Sequence, residues 1–133
     1  MTDDPMQVVF ALLGARRRHS IDDVSALLHP GVIHEGVTDE LVCHGRDQVL
    51  ENVRRSFQQD DEGLVHLELV LAGEEHVILG LAGPRFAEAP WAAHADHIFI
   101  VHTVRDGRVT RMRDFLDRAA AYRAAGTTPA EWS

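Results

Sequence analysis

The fold turns on residues 97–117, "HIFIVHTVRDGRVTRMRDFLD". Asp106-Gly107 is a strong two-residue hairpin signal, because the favoured tight turn needs positive φ at both central positions. The valine- and isoleucine-rich runs on either side suit strands. With Asp106 and Gly107 as the loop, Arg105 faces Arg108, Val101 faces Met112, Phe99 faces Asp114 and His97 faces Leu116. On that count His97, Phe99, Val101, Met112, Asp114 and Leu116 share one face. Diagonal neighbours across a sheet lie roughly 7–8 Å apart, so His97 is expected to reach Asp114 directly or through water. A carboxylate among Phe99, Val101 and Met112 would be desolvated, which raises its pKa toward a useful acid/base range. The alternative reading has Asp114 facing water beside the arginines, while Val109 and Phe115 face the core. The other face of the preceding strand, with Ile98, Ile100 and Val104, is apolar enough for core or a dimer interface.

Outward from this hairpin, "LVHLELVLAG" and "HVILGLAG" are two further strand candidates, and Asp117 is placed to cap a short last helix, "RAAAYRAA", that stops at Gly126. Tyr122 is expected to pack that helix. Residues 127–133 read as a loosely ordered tail. The first half has helical period. Pro5–Arg17 follows a capping aspartate, Asp3 or Asp4, and repeats apolar residues at Val8, Val9, Leu12 and Leu13. "SIDDVSALLHP" is a second helix with a capping-box-like Ser20 and Asp23, ended by Pro30. "GVIHEGV" and "LVCHG" read as strands, and "GRDQVLENVRRSFQQ" as a third amphipathic helix with Val49, Leu50, Val53 and Phe57 inside. Helices mixed with short strands, then a meander of long strands, imply an α+β domain: a curved antiparallel sheet wrapped around helices.

The chain has 133 residues, enough for one domain with a real core. Its formal net charge of −8 gives a field that disfavours nucleic acid and anionic membrane. No apolar run approaches a membrane span and the N-terminus is unlike a signal peptide, so the expected location is the cytoplasm. The single Cys43 allows no internal disulfide and reads as a packing cysteine.

The helical "ARRRHSIDDVSALLHPGVIHEG", then "CHGRDQVLENV", then "VRDGRVTRMRDFLDRAAAYRAAG" together resemble the nuclear-transport-factor-2-like superfamily, and within it the SnoaL-like group. The resemblance runs from about Met6 to Gly126. It implies a cystatin-like cone, one domain over 1–133, with an internal apolar pocket for a small molecule and commonly a homodimer through the outer sheet face. Relatives include polyketide cyclases, ketosteroid isomerases and limonene-type epoxide hydrolases, so the fold alone names no reaction.

The three chemistries ask for different residues. The ketosteroid isomerase positions for base, tyrosine and oxyanion aspartate fall on Gly36, Leu12 and near Val101, so that set is absent. The epoxide hydrolase match puts Asp114 on the water-activating aspartate, but the positions for the arginine and second aspartate fall near Leu79 and Leu81. SnoaL-type cyclisation asks for one aspartate on the last strand and a nearby histidine. The resemblance therefore implies Asp114 as acid/base, His97 beside it, and Glu35, which borders the family's base position, as a second acid/base. His34 shares its strand with Glu35, so only one of the two should point inward. Phe99, Val101, Met112, Leu116 and Leu12 are the expected pocket wall, with Phe86 and Trp91 at its rim. Nine histidines invite a metal reading, but His94 and His97 have opposite strand parity and no spacing matches a zinc pattern. No metal or organic cofactor is expected. The alternatives are a ligand-binding or accessory protein of the same fold, or an epoxide hydrolase with a departed site.

Overall fold

The computed structural model describes residues 4–38, 40–58, 64–83 and 97–129. The first helix, α1 (Pro5–Arg17), begins where Asp4 accepts a hydrogen bond from the Met6 amide, with proline in the first turn and Arg16 and Arg17 in the last. In α2 (Ile21–Ala26) the Ser20 hydroxyl accepts from the Asp23 amide. The Asp23 carboxylate turns to Arg18 at 3.0 Å instead of closing a reciprocal box. That helix ends before Pro30, which lies inside β1 (Leu28–Glu35). The strand tolerates proline because its pairing with its neighbour is irregular between Leu28 and Ile33. Then follow β2 (Val42–His44), α3 (Arg46–Ser56), β3 (Val65–Ala72), β4 (His76–Ala82), β5 (His97–Arg105), β6 (Arg108–Phe115) and α4 (Arg118–Ala124).

The six strands form one curved, unclosed sheet in the order β2-β1-β6-β5-β4-β3. Neighbours are antiparallel except β1 and β6, which run parallel. The helices α1, α2 and α3 lie on the concave side. Val9, Ala15, Val24 and Val49 from them pack against Leu28, Val32, Val77 and Val109 of the sheet. On the other side α4 lays Ala121 and Tyr122 over Ile78, Phe99 and Val101. Strands β4 and β5 are thus buried on both faces, and their sequences accordingly run apolar without alternation. Gly80 makes the outer packing possible, since a Cβ there would sit 2.9 Å from a Phe99 ring carbon.

The hairpin turn is as read: Asp106 and Gly107 both have positive φ, 53° and 76°. Past it the register departs from the simple count. Val104 pairs with Val109, but Thr103 pairs with Arg111, so Thr110 is an extra residue on β6, a β-bulge. A one-residue slip exchanges the faces of everything beyond it relative to the partner strand. Asp114 therefore lies opposite Ile100, and Met112 opposite His102, while Phe99 and Val101 face Phe115 and Arg113.

Candidate functional site

The concave side of the sheet and the ends of α1 and α3 line an open cavity of about 910 Å3. Its apolar wall is Leu64, Leu79, Leu81, Ile98 and Ile100, and Asp114 stands on the same wall. The bulge at Thr110 is what brings Asp114 beside Ile98 and Ile100 rather than beside Phe99.

Asp114 is not alone there. His34, on the adjacent parallel strand β1, places Nε2 2.8 Å from Asp114 Oδ1, and both side chains are less than a fifth exposed. The imidazole N–H donates and the carboxylate accepts, a short, charge-assisted contact when the ring is protonated. Alternation along β1 explains the aim. Val32 is fully buried and His34 shares its face, whereas Ile33 and Glu35 take the other.

Beneath the cavity wall lies His102, itself fully enclosed and opposite Met112. Its Nδ1 is 3.4 Å from the Val77 carbonyl oxygen. Burial pulls its pKa down to about 4; backbone carbonyls oppose this, and the nearby His34 and Arg16 add to the fall. This ring is a neutral packing histidine at ordinary pH. Cys43, across from His34 on β2, also lines the cavity. Burial pushes its thiol pKa up, so it is held as the thiol and not as a nucleophilic thiolate.

Several expected residues fall elsewhere. Phe99 and Val101 are buried under α4 on the outer face. His97 follows them to that face, where its ring tilts against Phe99 and its Nε2 is 2.8 Å from the Leu116 carbonyl oxygen. Glu35 also points outward, held by Arg111 and, at 3.5 Å, by Arg113. Met112 and Leu12 are packed in the concave core; neither lines the cavity, and Leu13 does so in place of Leu12. Leu116 contributes its backbone carbonyl to His97 and does not line the cavity. Phe86, Trp91 and His94 lie outside the described residues. Among the described residues, no three His, Cys, Asp or Glu side chains converge as a metal site, and no helix is long and apolar enough to cross a membrane.

The comparisons agree with this architecture. No curated protein matches the chain. Among solved structures, an LEH-like epoxide hydrolase from M. tuberculosis superposes with a TM-score of 0.63 at 19% identity, over 93% of this chain and 90% of that one. A Sinorhizobium meliloti protein provisionally named a polyketide cyclase gives 0.61 at 17%, over 81% and 93%. A de novo designed protein with a curved β-sheet gives 0.63 at 20%, over 95% of each chain. At these identities the likeness is one of fold, and a designed scaffold sharing it underlines that the fold carries no reaction by itself. The SnoaL-like domain matches from residue 9 to residue 112, most of the chain, and the protein belongs to that family.

Proposed function

We propose that the chain binds an apolar, polyketide-like small molecule in this cavity and acts on it by cofactor-free acid/base chemistry, as a cyclase or isomerase. The observation that carries the proposal is the 2.8 Å contact between His34 and Asp114, two largely buried side chains on the wall of a cavity large enough for such a ligand. Asp114 is the base. It takes a proton from the carbon next to a substrate carbonyl, leaving an enolate, while the His34 imidazole N–H, donating to the same carboxylate, holds it in place. For isomerisation the same proton returns at a different carbon. For cyclisation the enolate carbon attacks a second carbonyl of the same molecule, and the proton passes to the new alkoxide. In both cases the protein ends as it began.

The test needs no knowledge of the natural substrate. A panel of polycyclic and long-chain ketones is incubated in D2O, and exchange of the hydrogens next to the carbonyl is followed by NMR. Asp114→Asn is expected to slow that exchange by about a hundred- to ten-thousand-fold, the usual contribution of a positioned general base. An equal rate in the variant ends the proposal.

The second reading is binding without turnover. It is favoured by Leu79 and Leu81, which give the cavity apolar side chains where an epoxide hydrolase would present its arginine and second aspartate. Under it, ketones bind but neither protein exchanges them. The cytoplasm and a homodimeric state belong to the same proposal. Since α4 covers Ile78, Phe99 and Val101, a dimer contact through the outer face would use β1 and β6, where Ile33 stands among Glu35, Arg111 and Arg113.

A further inference from the structure

The cavity is apolar at its sheet wall and cationic where the helices end. On α1 Leu13, Arg16 and Arg17 line it, at the i, i+3, i+4 spacing of one helix face. On α3 the lining face is Gln48, Glu51, Asn52 and Arg55, opposite the buried Val49, Leu50 and Val53. The C-terminal turns of the two helices meet, with Arg16 Nη2 donating to Ser56 Oγ at 3.4 Å.

Basic residues are common at helix C-termini because they complement the dipole. That explanation suffices for Arg18 and Arg54, which sit beside Asp23 at 3.0 Å and Glu51 at 3.8 Å and do not line the cavity. Arg16, Arg17 and Arg55 close their helices too, Arg55 at 3.9 Å from Glu51, but unlike Arg18 and Arg54 they line the cavity. Their charge also reaches the wall. Arg55 acts on the Cys43 thiol in the sense that favours its anion, and Arg16 acts on His102 in the sense that opposes its cation. The acidic lining groups are differently placed. Asp114 is taken by His34, Glu51 is spread between Arg54 and Arg55 at 3.8 and 3.9 Å, and Glu40 comes from the loop between β1 and β2. Gln48 uses its side-chain oxygen on the His44 amide at 2.8 Å, which leaves its NH2 as a donor.

We infer that the ligand is an amphipathic carboxylate, its anionic head at Arg16, Arg17 and Arg55 and its apolar body along Leu79, Ile98 and Ile100. This inference rests on reading the cavity as a small-molecule site and names the class of molecule it takes. A guanidinium matches a carboxylate bidentately. Asp114, already taken by His34, offers a carboxylate head no comparable partner, so the head is assigned to the helix ends. The apolar body, with any carbonyl it carries, is then the part presented to Asp114.

The experiment is displacement of a neutral apolar fluorophore, N-phenyl-1-naphthylamine, from the intact protein at low salt by decanoate, decanol or decyltrimethylammonium. Decanoate is expected to displace it at a concentration at least tenfold below that of decanol, with the ammonium weakest. The exposed double variant R17Q/R55Q is expected to bind the fluorophore as wild type does and to lose most of that preference, as is wild type in half-molar salt. Decanol displacing as well as decanoate, or a preference that survives in R17Q/R55Q, overturns the inference while leaving the cavity reading intact. A fluorophore that does not bind at all, with decanoate equally without effect on thermal stability, overturns both. Asp114→Asn separates the two further. It is expected to slow ketone exchange as stated above and to leave the decanoate preference in place or strengthened, and loss of the preference in that variant counts against the assigned orientation.

Discussion

The two faces of one sheet use their charges in opposite ways. On the outer face Glu35 is held by Arg111 and Arg113, and Glu68 takes both a 2.8 and a 2.9 Å hydrogen bond from Arg118, whose guanidinium also lies 5.0 Å from the Tyr122 ring centre. These are closed sets, each carboxylate answered by an arginine. On the inner face, one residue away along the same strands, Asp114 has a histidine for its partner and a cavity in front of it. An arginine stays charged at every relevant pH and fixes its carboxylate as an anion. A histidine can give its proton up or take one back. The difference separates a face of fixed ion pairs from the face to which the proposed chemistry is assigned, and each can be broken separately.

Breaking the outer face should destabilise the protein without changing ketone exchange. The Glu68 and Arg118 side chains are 10% and 18% exposed, and their contact fastens α4 to β3 across the buried Tyr122. Burial and the Glu68 carboxylate together push the Tyr122 hydroxyl pKa up to about 12, so it stays a neutral packing group. Removing the carboxylate leaves a largely buried guanidinium without its main counter-charge. Glu68→Ala is expected to cost about 3 kcal/mol in urea unfolding, with the exchange rate per folded molecule unchanged. A loss under 1 kcal/mol would show that this pair does not hold the helix.

The inner face carries its own liability, and pH exposes it. His102 titrates near 4 when folded and at the ordinary 6.5 when unfolded. Between those values the unfolded chain binds a proton that the native one refuses, so acid favours unfolding. The contribution of His102 is fully present above pH 6.5 and is lost progressively as pH falls through that window toward 4. The loss approaches about 3 kcal/mol at the acid end. Unfolding free energies measured from pH 7 to 4.5 should fall accordingly, and His102→Leu should flatten the slope over that range. A variant that keeps the wild-type slope would move the acid sensitivity to other groups.

How much of this was readable beforehand follows from which signals were local. Helix starts at Asp4, Ser20 and Asp117 and the turn at Asp106-Gly107 were legible because one or two residues decide each. Within β6 the shared parity of Met112 and Asp114 was legible too, while the choice of their face as the pocket side leaned on the family resemblance. The pairing of β6 with β5 was not. Val109-Thr110-Arg111 carries no glycine or other mark of a bulge, yet the slip there moved His97, Phe99 and Val101 to the outer face. The choice between His34 and Glu35 was undecidable by alternation, since "VIHE" offers an apolar residue at either parity. It is settled by Arg111 and Arg113, which wait for Glu35 on a strand 76 residues away.

The smallest expected effect is also the sharpest test of the two-face picture. Glu35 stands one residue from His34 and was the family-based candidate for a second acid/base group. In the structure its carboxylate is about a third exposed and engaged by two arginines on the outer face. Partly solvated pairs of this kind contribute little, about 1 kcal/mol at most, because water screens them and the side chains lose entropy. Glu35→Gln keeps the shape and removes the charge. Unfolding should shift by no more than that amount, and ketone exchange should stay within about twofold of wild type. If Glu35→Gln instead slowed exchange as severely as Asp114→Asn, the side chain would have to reach the cavity. The β1 parity, the Thr110 bulge and the separation of a structural from a chemical face would then fall together, because all three rest on the same register.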